Sequence, residues 1–168
     1  GLMYMMTGTL NMADMAERLV MADGGRTALV AFGFLTVGIG IKMALFPLHI
    51  WLPNAYAYAP SLVTAFLAAT ATKVSVYILL RFVFSVFGVT FAFETLGLGG
   101  VLMFLSLLGI FVASTVAIFQ TNIKRMLAYS SVAQIGYMVL GISFASTTGL
   151  VAGIVHLFNH ALIKGGLF

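Results

Sequence analysis

The sequence predicts an all-α integral membrane protein, a polytopic helix bundle, and three observations carry that prediction. Hydrophobic residues make up 62% of the 168 residues and charged residues only 7%, with a mean hydropathy of +1.14. A water-soluble domain of this size would lack the polar surface to cover itself. Apolar runs near the roughly 20 residues that cross about 30 Å of hydrocarbon recur along the chain. Small residues, 18 of them glycine, are spread through those runs and suit close packing among several helices.

Residues 1–9 (GLMYMMTGT) read as the tail of one earlier span. Residues 11–26 then gather Asp14, Glu17, Arg18, Asp23, Gly24, Gly25 and Arg26, more polar than any other segment of that length. This is an interfacial loop with a short helix for which Asn11 is the natural cap. The first complete span covers about 28–46. It runs into PLHIWLPNAYAYAPS, which holds all three prolines and the only tryptophan. A second span covers about 60–87, with Pro60 in the first turn, where a missing N–H does no harm. A connector at 88–97 carries Glu94, and a third span follows at about 98–119. A polar turn at 120–125 leads to the fourth, about 126–144, and residues 146–149 turn into the fifth, about 150–168. Residues 1–168 form a single transmembrane domain, and the abrupt ends at Gly1 and Phe168 predict an internal piece of a longer membrane protein.

Charge excludes some functions. Eight Lys and Arg stand against four Asp and Glu, but they are scattered and several lie inside apolar runs. A nucleic-acid footprint would cluster them on one exposed face. With no cysteine, neither a disulfide framework nor a thiolate-ligated metal is available. There is no nucleotide fingerprint, no iron–sulfur ligand and no bis-histidine haem pattern across separate spans, so the residues imply no cofactor and little support for quinone or electron-acceptor chemistry.

The chemistry is concentrated in HLFNHALIKGGLF. His156, His160 and Lys164 lie four residues apart, and each four-residue step advances about 400°, so the three stack on one helical face with about 80° of drift. A charge at the bilayer centre costs roughly 2.5–3.5 kcal/mol on insertion scales, so such groups usually line a polar interior and carry ions, protons or a ligand. Histidine titrates near neutrality and passes protons without a large driving force. The histidine pair at i and i+4 can also grip a metal, but no third ligand accompanies it on this helix.

Two lysines extend the pattern. Lys73 lies mid-span in TAFLAATATKVSVYILLRF, too deep to snorkel, since its side chain reaches about 6 Å against a half-thickness of about 15 Å. Lys42 precedes Pro47 by five residues. A helix continued through Pro47 and Pro53 would free the carbonyls of Met43 and His49, an arrangement found where broken helices line aqueous cavities. Alternatively, Pro47 ends the helix and Lys42 snorkels to the headgroups. His49 beside Trp51 reads as an interfacial hydrogen-bonding residue, and Arg81 as an anchor near an interface. Tyr129, Ser130, Ser131 and Gln134 either hydrate a channel or bond helix to helix.

The runs IKMALFPLHIWLPNAYAYAPS, TATKVSVYILLRF, NIKRMLAYSSVAQIGYM and HLFNHALIKGGLF, in that order, resemble the central part of the antiporter-like membrane subunits. That family comprises the proton-pumping subunits of NADH–quinone oxidoreductase (complex I), the Mrp-type sodium/proton antiporter subunits and the related subunits of membrane-bound hydrogenases. The resemblance implies fourteen helices in two inverted repeats, each with a broken helix, here near Pro47–Pro53. This chain would cover the end of the sixth helix through most of the eleventh.

It further implies a proton path through Lys42 on the broken helix, Lys73 on the next and the His156–His160–Lys164 series. A partner glutamate would lie before Gly1 and a terminal Lys or Glu after Phe168. NAYAYAPS and ATATKVSVY look closest to the Mrp D-type subunits. The implied function is proton translocation within a multisubunit cation/proton antiporter, or alternatively as the proton-pumping membrane subunit of an NADH–quinone oxidoreductase or membrane hydrogenase, with no redox chemistry in this chain itself. The implied partners are other membrane subunits, the lipid bilayer and protons, with Na+ a second candidate ion and nucleic acid excluded. The implied location is the bacterial inner membrane.

Overall fold

The computed structural model describes residues 1–21 and 25–168, so Asp23 and Gly24 of the polar segment lie outside the described residues. All described regular structure is helical. Helix α1 (Leu2–Thr7) ends at Gly8 in the left-handed region (φ 69°). Helix α2 (Met12–Met21) starts where Asn11 Oδ1 accepts the Ala13 N–H at 3.0 Å, as the cap predicted. On its polar face Arg18 pairs with Asp14 at 2.9 Å and donates to the Thr7 carbonyl at 2.9 Å, tying α2 to α1.

Five helices are long and apolar enough to cross a membrane. These are α3 (Arg26–Met43), α5 (Ser61–Leu80) continued by a π-helical turn Arg81–Val86, α6 (Leu98–Ile118), α7 (Ile123–Ser143) and α8 (Thr147–Leu167). The short helix α4 (Trp51–Tyr58) lies between α3 and α5. The connector before α6 is itself a π-helical turn, Thr90–Thr95, on which Glu94 is exposed.

Helices α7 and α8 begin about three residues before their predicted starts, because Asn122 and Ser146 cap them. Asn122 Oδ1 accepts the N–H groups of Lys124 and Arg125, and Ser146 Oγ accepts that of Gly149. Such caps satisfy donors that a first helical turn leaves orphaned.

Helix α3 ends three residues earlier than predicted, and the break has a different cause from the one expected. Ala44 adopts the left-handed conformation (φ 60°). Its N–H donates to Ile41 O at 3.1 Å while the Leu45 N–H reaches Gly40 O at 2.9 Å. This pairing closes a helix with a Schellman motif, so the helix has stopped before Pro47 acts, and Phe46–Pro47 is a cis peptide. Pro53 falls in the first turn of α4, where no helical N–H is needed. The carbonyl that gains an unusual partner is therefore that of Ile41, which accepts the Trp51 indole N–H at 2.8 Å. The His49 carbonyl is not freed as expected, since it accepts the Leu52 N–H at 3.0 Å.

Helix α7 is the hub, packing against α6, α8 and α4, while α5 lies between α3 and α8. The main core runs from Met43 and Leu52 through Val76 and Leu79 to Val132, Met138 and Ile142. A smaller cluster joins α1, α2 and the start of α3 to Val86.

Candidate functional site

Helices α5 and α8 run antiparallel in contact, and their register is read from one close approach. A Cβ built on Gly165 would lie 3.5 Å from the Ala69 Cβ. Moving four residues back along α8 and forward along α5 brings Ala161 level with Lys73, so His160 is offset by one residue, about 1.5 Å, and Lys164 by three, about 4.5 Å along the axis. Lys73, His160 and Lys164 are all buried, at 5%, 3% and 3% exposure. Lys73 and Lys164 stand near enough for their charges to act on each other and on His160. The sequence pattern placed these groups on separate spans, and the packing brings them together.

Each buried ammonium is docked on backbone. Lys73 Nζ donates to the Ala68 carbonyl of its own helix. Lys164 Nζ crosses to α7, donating to Leu127 O at 2.8 Å, and lies 5.9 Å above the Phe168 ring. Among the described residues no carboxylate pairs with either lysine, and the one ion pair is Asp14–Arg18.

The histidines continue the line. His156 and His160 stack with ring centroids 6.2 Å apart and planes within 4°, and Tyr137 of α7 meets His156 edge-on at 6.1 Å. Both ring nitrogens of His160 and Nε2 of His156 are buried with no hydrogen-bond partner. Buried polar atoms in native proteins are normally satisfied by protein or water, so this face is built for further polar company. A cavity of about 340 Å³ lies beside it, lined by Ser130, Gln134, Asn159, His160 and Lys164 among others. Gln134 and His156 also line a second cavity of about 390 Å³ that extends to Tyr137 and Gly141. The space is large enough for several waters. Asn159, Tyr137 and the shared position of Gln134 were not singled out by sequence. Only the helical phase of α7 against α8 identifies them, and that phase depends on tertiary packing.

Lys42 stands apart. It lies in the last turn of α3 beside the break and is exposed. His49 is buried at the break: it stacks on Phe46 at 5.3 Å and meets the Tyr129 ring at 6.1 Å. Its Nδ1 is buried and unpartnered. The polar residues of α7 divide their roles, with Ser131 bonded within its own helix to Leu127 O at 3.0 Å while Ser130 and Gln134 face the cavity. Arg81 is exposed at the π-helical turn. Among the described residues no group of three His, Asp or Glu side chains converges on a metal position.

A bundle of helices long and apolar enough to cross a membrane, with a break after Met43 and a buried line of basic side chains, defines a polytopic integral membrane protein. The chain belongs to the NADH:quinone oxidoreductase/Mrp antiporter transmembrane family, whose pattern matches residues 1–168. It is 46% identical over 172 residues to NADH-quinone oxidoreductase subunit N of Desulforudis audaxviator, covering 100% of this chain and 33% of that protein. It is 34% identical over 169 residues to the D-type subunit of the Na(+)/H(+) antiporter of Alkalihalophilus pseudofirmus, covering 98% of this chain and 33% of that protein. Among solved structures, a chain of the Mrp complex from Dietzia sp. superposes with a TM-score of 0.86 at 28% identity, over 99% of this chain and 30% of that one. A chain of an archaeal membrane-bound sulfane sulfur reductase does so with a TM-score of 0.84 at 33% identity, over 98% and 33%. The chain thus spans about a third of the length of the curated relatives it matches.

Proposed function

We propose that this chain is the central part of a proton-translocating membrane subunit, in which Lys42, Lys73, His160, His156 and Lys164 form a lateral relay at mid-membrane depth. The observation that carries this reading is the burial of Lys73, His160 and Lys164 on two contacting helices with no carboxylate partner among the described residues. Groups so placed are costly in a bilayer and useful chiefly where charge must move. Protons pass between them through side chains and the water the adjoining cavities can hold. Coulomb coupling between like charges in a low-dielectric interior lets protonation at one site lower the proton affinity of the next. Basic groups suit protons better than Na+, which needs oxygen ligands.

The proposed partners are other membrane subunits of one complex. Two assemblies have support: a cation/proton antiporter from the fit to the Mrp complex chain, and an NADH–quinone oxidoreductase from the higher identity to subunit N. Proteins that co-purify with the full-length subunit separate them, flavin or iron–sulfur subunits marking the second. No redox step is assigned to this chain in either case.

The test is Lys73→Ala and Lys42→Ala in the full-length subunit of the assembled complex, with proton transport read in inverted membrane vesicles. Each variant is expected to lose most transport while the complex still assembles. Normal transport in both would end this reading.

A further inference from the structure

The docked lysines of this bundle share one habit. Each ammonium sits on a backbone carbonyl that a serine or threonine hydroxyl can also reach. Lys124 Nζ lies 3.0 Å from Ala59 O, which Thr64 Oγ1 shares at 3.3 Å. Lys164 Nζ lies 2.8 Å from Leu127 O, which Ser131 Oγ shares at 3.0 Å. Lys73 Nζ takes the Ala68 carbonyl, the acceptor four residues before Thr72, and here the hydroxyl is missing from the shared oxygen. Thr72 is fully buried and its Oγ1 has no hydrogen-bond partner. The Tyr56 hydroxyl approaches it from α4.

Thr72 is an exception among the buried hydroxyls described. Thr7, Thr64, Ser75, Ser106, Ser131 and Ser143 each donate to a carbonyl three or four residues back on the chain. That bond is the default for a hydroxyl with no better partner, and threonine in a helix switches between two χ1 rotamers to make or break it. Thr72 makes no such bond, and the Ala68 carbonyl it would use holds Lys73 Nζ alone among side-chain donors. Were Lys73 to leave, the Ala68 carbonyl would be a buried acceptor without a side-chain donor, and the nearest replacement is the Thr72 hydroxyl.

We propose that Thr72 is a positioning residue for Lys73, its hydroxyl taking over the Ala68 carbonyl when the ammonium moves off to exchange its proton and releasing it when the lysine docks again. The inference rests on the relay reading above and adds the element that makes departure of Lys73 reversible. At Leu127 the arrangement differs, since Ser131 already occupies the carbonyl and Lys164 can leave without any exchange.

The experiment uses the full-length subunit in its assembled complex, with transport driven by the complex's own turnover and read with a pH-sensitive dye in inverted vesicles. Thr72→Val keeps the shape and removes the hydroxyl; it is expected to slow transport about tenfold, the effect of one lost hydrogen bond on a mobile step. Thr72→Ser is expected to restore the parental rate. Ser75→Ala, whose hydroxyl serves the unshared Ala71 carbonyl, is expected to leave the rate unchanged. If Thr72→Val does not assemble, Thr72→Ala replaces it in the same comparison with Thr72→Ser. A hydroxyl-free variant as fast as the parent overturns the proposal, as does a serine variant as slow as the valine one. Lys73→Ala, run alongside, separates the two claims. An inactive Lys73→Ala with a fast Thr72→Val removes only the role of Thr72, whereas an active Lys73→Ala removes the relay itself.

Discussion

Helices α7 and α8 each have 21 residues and, over an 18-residue stretch, the same mean hydropathy of 1.3, yet 56% of that stretch is buried inside the bundle in the first and 17% in the second. Hydropathy measures compatibility with lipid and carries no information about neighbours. Helix α7 gains its neighbours through close backbone approach: a Cβ on Gly141 would lie 2.7 Å from Gly149 O and 3.3 Å from Gly153 N on α8. These backbone approaches lie in the first half of α8. Its second half keeps basic groups inside and apolar groups such as Phe158 and Leu162 outside, the reverse of an amphipathic helix in water. The largest break in this comparison should come from Gly141→Val. With backbone on the far side of the contact and no flexible side chain to yield, overpacking of about 3 kcal/mol is expected. Assembled complex recovered from membranes should fall severely, and recovery at parental levels would show that the two helices are not held at this distance.

Next in size is a change that should affect transport and spare the fold. Lys164→Met removes the ammonium from Leu127 O, but that carbonyl retains Ser131 Oγ at 3.0 Å, so no buried acceptor is orphaned and the thioether fills most of the vacated volume. Assembly should stay near parental while proton transport falls at least about tenfold, a loss equivalent to about 1.4 kcal/mol. The paired measurements are complex yield and dye-reported transport in the same vesicles. A joint fall of both would make Lys164 a packing residue and put α8 in the same class as α7.

The α7–α8 contrast also marks how far sequence reaches. The spans, the break and the inward stripe follow from hydrophobic run length, three prolines and a four-residue spacing, all local properties. The cause of the break did not follow, because Ala44 in a left-handed cap is an unfavoured choice for a non-glycine residue and no local rule selects it over Pro47. The burial of His49 was equally hidden, since it depends on Tyr129 arriving from a helix some 80 residues away. At the site, spacing placed His156, His160 and Lys164 on one face, but their opposition to Lys73 rests on the Gly165–Ala69 approach. The unpaired hydroxyl of Thr72 depends on which carbonyl a lysine chooses. A single-sequence pattern carries side-chain type and phase, and hydrogen-bond competition is decided only after packing.

A smaller effect is expected at the start of α7. Asn122 Oδ1 accepts two N–H groups, at 2.9 Å from Lys124 and 3.3 Å from Arg125, and the two cations stand at the positive end of the helix dipole, where they are unfavourable. Their side chains are directed to α4 and its C-terminal carbonyl, with Arg125 donating to Asn54 Oδ1 and Lys124 to Ala59 O. Asn122→Ala should cost about 1 kcal/mol, read as a lower unfolding temperature of the purified complex, while Asn122→Asp should recover most of it. An unchanged melting profile in the alanine variant would mean that the α4 contacts alone fix the start of α7, leaving its cap idle.

The smallest effect is expected on the outer face of α8, and it tests the contrast from the other side. Leu162 is 64% exposed, two residues from both His160 and Lys164, which are buried. In a bilayer such a side chain exchanges protein contacts for lipid tails of similar polarity, and truncation there removes little, because lipid fills the space that a rigid core would leave empty. Leu162→Ala should therefore change the melting temperature of the complex by the equivalent of less than about 0.5 kcal/mol, the range of substitutions away from packed features, and leave transport unchanged. A cost of about 2–5 kcal/mol, typical of a leucine truncated within a protein core, would show that another protein helix lies on this face in the assembled subunit. Helix α8 would then be as enclosed as α7, and the difference between the two would lie in the titratable groups alone.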